Sequence, residues 1–190
     1  MESIKRNFKR RLAAIWDDPC AIFSIFGFVF TSLVGTLLHF LPDILQNNFI
    51  YLIAPTNESV WEHLKLLFYP YLIFMIAEYF AWGRETTGFL GAKARGVIIG
   101  QALIVAAHYI YSGIIGKSLS WLDITLFFVG TAAAYIIPYL YVKRGGAKRF
   151  STSTAIALFL MQIVLFSVFT FAPLSLGIFL DPQTGTYGIS

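Results

Sequence analysis

Five apolar stretches, each close to the length of a bilayer crossing, alternate with short polar segments and leave almost nothing of this chain outside a membrane. A spanning helix needs about 20 mainly apolar residues, and in lipid only a helix or a closed barrel satisfies its backbone. The stretches run approximately over 21–41, 59–82, 96–115, 119–142 and 153–180. The last is interrupted by Pro173 and Gly177, so as a span it can end near Phe171 with an interfacial tail beyond. Hydrophobic residues make up 57% of the chain and charged ones 13%, with a mean hydropathy of +0.71; a soluble domain is about one quarter charged. The expected fold is all-α, a polytopic transmembrane helical bundle of about five spans forming one domain over residues 1–190. Any activity must then be built between helices.

Charge sets the expected orientation. Twelve of the fourteen Lys and Arg residues fall in 1–20, 83–95 and 143–150, and basic loops stay on the cytoplasmic side. The N-terminus is therefore expected in the cytoplasm and, after five crossings, the C-terminus outside. No Lys or Arg follows Arg149, in keeping with that. The first stretch follows a basic tail, as a signal peptide does, but it is too long and lacks a small-x-small cleavage site. The net charge of +4 does not argue for nucleic acid, because the basic residues are divided among three loops where they set topology and meet anionic lipid headgroups. The single Cys20, just before the first span, offers neither a disulfide framework nor a metal cluster; palmitoylation there is the one modification it suggests.

The outer turns hold the chemistry. Residues 42–58 join the first two spans, and their apolar run Phe49 to Ala54 is expected to lie along the membrane surface. Next comes Asn57-Glu58-Ser59-Val60-Trp61-Glu62-His63-Leu64-Lys65, in which Asn57 can cap a helix and Ser59 with Glu62 has capping-box spacing. Read structurally, this is a well-capped helix start with an interfacial Trp61 and a snorkelling Lys65. Yet two carboxylates, an imidazole and an ammonium at the mouth of an apolar helix are costly to bury and usually face a partner or water. His39 ends the first span on a stripe of small or polar residues, Ser32, Gly35 and Thr36, that lets another helix come close. His108 lies about 20 Å along the third span, in the outer half of a ~30 Å core, with Tyr111 and Ser112 on its face. Asp123 and Asp181 fall at a similar depth.

His39, His63 and His108 with Glu58 would supply ligands for a divalent metal such as zinc, iron or manganese. Glu62, or Glu58, is then the candidate general base toward metal-bound water, and Tyr111 or Lys65 the group that stabilises developing negative charge. Metal-dependent hydrolysis of a lipid or other amphiphile is the leading expectation. A Ser59–His63 or Ser112–His108 nucleophilic pair is weaker, because neither serine sits in a nucleophile elbow. Two readings use the same residues without hydrolysis: a proton or cation pathway, and a packing or assembly subunit whose polar groups only pin helices. No internal repeat supports a transporter of one chain. Gly96, Gly100 and the small residues of 130–134 are packing surfaces, within the chain or between copies in a homo-oligomer. Pro70 and Pro138 are expected to kink their helices, and Glu78 to pair with a loop cation. The end of the chain, Leu180 to Ser190, is either frayed or a lid bringing Asp181 and Tyr187 toward the histidines.

The motif Asn57 to Leu66, with Leu38-His39-Phe40, Tyr111 to Gly116 and Asp181-Pro182-x-Thr184-Gly185-Thr186-Tyr187-Gly188, resembles the family of small prokaryotic membrane proteins DUF6512. The resemblance spans almost the whole chain. It implies a multi-pass protein of the bacterial inner membrane and brings no reaction, substrate or cofactor with it.

Overall fold

The computed structural model describes residues 17–145 and 151–189; the basic residues within 1–16 and 146–150 lie outside them. The chain forms helices α1 (Pro19–His39), α2 (Leu41–Ile44), α3 (Asn48–Ile53), α4 (Val60–Ala81), α5 (Phe89–Ile115), α6 (Ser120–Lys143) and α7 (Thr152–Phe171). Five segments are long and apolar enough to cross a membrane: α1 with α2 as Pro19–Ile44, then α4, α5, α6 and α7. This is a polytopic all-α bundle. Large apolar side chains such as Leu37, Phe80 and Ile114 are exposed on its outside, the arrangement expected where hydrocarbon is the solvent.

Local sequence explains the helix ends. Asp18 caps α1 by accepting from the Cys20 amide at 3.1 Å, and Pro19 fills the first helical position, where its missing N–H costs nothing. α5 begins at Phe89, behind Gly88 at φ 75°, rather than near residue 96. The expectation failed there because Lys93 was read as a loop cation. Lys93 is instead buried on the helix, with its ammonium 2.5 Å from the equally buried Glu78 of α4 and over the rings of Tyr135 and Phe89 at 5.1 and 5.3 Å. A neutralised pair can enter an apolar stretch that a lone charge cannot. Pro70 and Pro138 both lie inside continuous helices.

Small residues set the helix contacts. A Cβ at Gly96 would strike the Ala134 carbonyl and the Pro138 ring, and one at Gly100 the Gly130 carbonyl. Gly96, Gly100 and Gly130 are thus used within the chain. At Gly35 a Cβ would meet the Leu66 carbonyl of α4 and the Phe127 ring of α6, so α1 approaches both neighbours at one level. The core between them holds Leu67, Phe68, Tyr71, Val97, Ala134 and Phe166. α7 ends at Phe171, and residues 172–180 are not its continuation. A 3-10 turn (Gly177–Phe179) sets Phe179 against Trp61 and Phe169, each with ring centroids at 5.1 Å. A short hairpin closed by a Leu180–Tyr187 bridge follows.

Candidate metal centre at one end of the bundle

The contact at Gly35 aligns the polar groups. His39 lies one turn beyond it on α1, His63 about one turn before Leu66 on α4, and Asp123 one turn before Phe127 on α6. Residues three or four apart share a helix face, so these groups reach the same end of the bundle. They do not form one cluster. Three separate ones result.

The first is the start of α4. Asn57 accepts from the Ser59 amide at 2.9 Å, and its side-chain amide donates to the Gly188 carbonyl at 2.7 Å. Ser59 Oγ accepts from the Glu62 amide at 3.4 Å. Glu58 is therefore held between two fixed neighbours. Its carboxylate oxygens lie 3.4 Å from His63 Nε2 and 4.0 Å from His39 Nε2, and the two imidazole centroids are 5.2 Å apart. One ligand atom from each of His39, Glu58 and His63 can be chosen so that all lie within 4.8 Å of one another. His63 Nδ1 is 2.9 Å from the Ser59 carbonyl. A carbonyl only accepts, so Nδ1 carries the proton and donates, and Nε2, facing Glu58, is the ring nitrogen that can serve as a ligand. This is how metal-ligating histidines are oriented.

The second cluster takes Glu62 and Lys65 away from the first. Both are buried, and their charged atoms are 2.7 Å apart. Glu62 also accepts from the Thr56 amide and hydroxyl at 2.9 and 3.1 Å and from the Thr170 hydroxyl of α7 at 3.0 Å. Lys65 also donates to the carbonyls of Tyr51 and Ala54 at 2.8 and 3.3 Å. The expected capping box is thus half made. The Ser59 amide goes to Asn57, while the Glu62 carboxylate ties the loop and α7 to α4 and its partner Lys65 ties in α3. Sequence reading missed Thr56 and Thr170; the only signal was a lone threonine in the apolar run before Phe171.

The third holds the remaining histidine. His108 Nδ1 is 2.8 Å from Asp123 Oδ1, the Tyr111 hydroxyl donates to the same oxygen at 2.6 Å, and the Leu119 amide donates to Tyr111 at 3.2 Å. Among the described residues, the group able to share an ion comprises His39, Glu58 and His63, without His108. The tail does fold back to the mouth of α4, but through the Gly188 carbonyl. The Asp181 carboxylate is turned into its own turn, accepting from the Gln183 amide and the Thr184 hydroxyl at 2.8 and 2.9 Å.

Fold and site together define a multi-pass α-helical membrane protein with a histidine–carboxylate cluster at one end of the bundle. The chain belongs to a family of unknown function, DUF6512, the match covering residues 19–189 and hence every group described at that end. Searches of curated proteins and of solved structures returned no match.

Proposed function

We propose that this chain is a multi-pass protein of the bacterial inner membrane, N-terminus in the cytoplasm. In this reading it binds one divalent transition metal, zinc, iron or manganese, through His39, Glu58 and His63 and hydrolyses a lipid or other amphiphile reached from the outer leaflet. One observation carries the metal: an imidazole held through Nδ1 by the Ser59 carbonyl, its other ring nitrogen 3.4 Å from a carboxylate oxygen, with a second imidazole beside it. Two ligands about 2.0–2.1 Å from a tetrahedral ion are themselves about 3.3 Å apart. His63 and Glu58 have that separation, and His39 needs only a small inward shift. Orientation rests on the basic loops, which favour the cytoplasmic side. The substrate class rests on the surroundings, since Phe40, Ile44 and Phe49 of the connection beside His39 are exposed and apolar.

Three protein ligands leave a position for water, and a bound catalytic zinc lowers the pKa of that water to about 7. The water oxygen would join the carbonyl or phosphoryl centre and its proton would end on the leaving alcohol. Glu62 and Lys65 carry no step in this scheme, because each is buried and bonded to the other. Tyr111 is engaged with Asp123. Elemental analysis of detergent-purified protein tests the proposal, with wild type beside Glu58→Ala and His63→Ala and folding checked by gel filtration. Near-stoichiometric metal in wild type, lost from both folded variants, is the expected result. No metal in any sample after reloading overturns it and turns attention to proton or cation flux in liposomes.

A further inference from the structure

Toward the opposite end of the bundle, α1 and α6 are clasped at two points and leave a furrow along their seam. Lys143 Nζ lies 2.7 Å from Asp18 at one point. The Tyr135 hydroxyl and Thr31 Oγ1 are 2.8 Å apart at the other. Asp18 and Thr31 are thirteen residues apart on one helix, a rise of about 20 Å. Beside the contact in which the Tyr135 ring packs on Gly27, Ala21, Ser24 and Phe28 of α1 and Ala132, Tyr135 and Tyr139 of α6 line an apolar groove of about 370 Å³. Both triplets have helical spacing, so these are the stripes that would normally interlock. Small side chains at 21, 24 and 132 leave the space instead.

The groove is open to the side along two membrane-spanning helices, where the available filler is an acyl chain. The end of the groove selects the headgroup. Lys143 keeps 47% of its side chain exposed despite its ion pair, and Arg144 follows it. In sequence, segments 1–20 and 143–150 carry nine Lys and Arg against three Asp and Glu. On the orientation proposed above, we infer that the groove binds one anionic phospholipid of the cytoplasmic leaflet, with one acyl chain along the α1–α6 seam and its phosphate at Lys143 and Arg144. A cation near an anionic surface contributes ~1 kcal/mol, or about fivefold. Asp18 offsets Lys143, so one net cation, and about a fivefold preference, is expected.

Native mass spectrometry tests this on delipidated protein offered equal phosphatidylglycerol and phosphatidylcholine with identical chains. Wild type should retain a single phosphatidylglycerol with roughly that fivefold preference. Ala132→Leu should fill the groove and lose both lipids while keeping the gel-filtration profile and the metal content of the far end. Arg144→Gln, at an exposed position, should keep lipid but bring the preference near unity. Equal retention of the two lipids by wild type, no retained lipid at all, or undiminished phosphatidylglycerol in Ala132→Leu would each overturn the inference.

Discussion

Replacing Lys65 with methionine separates holding the fold from holding a metal. Methionine keeps the length and apolar character of the stem but leaves Glu62 without its counter-charge and the Tyr51 and Ala54 carbonyls without a donor. Removing one partner of a buried ion pair costs about 3–5 kcal/mol, and two orphaned buried carbonyls at ~1–3 kcal/mol each fall in the same range. For a chain of this length, a melting temperature moves by about 2–4 °C per kcal/mol. Lys65→Met should therefore melt about 6–20 °C below wild type. Cys20 supplies the assay. It is the one cysteine of the chain and is buried, so a thiol-reactive fluorogenic dye reports unfolding as the bundle opens. All samples contain chelator, so that bound metal does not enter the comparison. Glu62→Gln/Lys65→Met removes both charges and should recover part of the loss. His63→Ala, half-exposed, should melt within about 3 °C of wild type while binding no metal. If Lys65→Met melts within that same interval of wild type and the metal is lost with it, the division between a structural pair and a ligand set is refuted.

Gly35→Val should cost about 1–3 kcal/mol and release metal, because the new side chain meets the backbone carbonyl of Leu66 and must push His39 away from His63; Gly113→Ala, with open space around it, is the control in the same melting and elemental measurements. Asn57→Ala removes the bond to Gly188, worth about 1 kcal/mol, and limited proteolysis should then cut residues 180–189 faster than in wild type. In a Cys20→Ala background, Glu58→Cys should react with an impermeant maleimide only from outside and Ala147→Cys only from the cytoplasm. Labelling of position 58 from the cytoplasmic side would invert the topology and the proposal with it.

Hydropathy made the five spans legible, because an apolar run of bilayer length has few alternatives in a chain with so few charges. Their edges were less legible where charge pairs within the membrane. Lys93 and Glu78 lie on different helices, and nothing local in the sequence says that one neutralises the other. At the opposite end, alternation of direction was enough to bring His39 and His63 to one level, and the Ser32–Gly35–Thr36 stripe marked the close approach that joins them. Alternation fixes depth but not azimuth. His108 therefore arrived at the expected height yet turned to Asp123 and Tyr111 rather than to Glu58. Glu62 was read as a base because it lies at a helix mouth beside a histidine. Its carboxylate proved to be inside the bundle, one residue around the helix from the exposed face, with Thr170 of a distant span as partner. Asp181 was misread for a related reason: an aspartate three residues before a threonine can tie its own turn, and here it does.

Asn57 and Gly188 are separated by 131 positions, and that distance has a meaning in time. Ribosomes add about 5–20 residues per second, so the Gly188 carbonyl reaches the membrane roughly 7–26 s after the loop it fastens. Thr170, which closes over Glu62, comes only slightly sooner. On the proposed reading, the imidazoles of the first two spans would during that interval be open to whatever ion the outer surface offers. Completion of the last helix would then shut the loop over a choice already made, so the order of synthesis, as much as the final geometry, would decide which ion the proposed site retains.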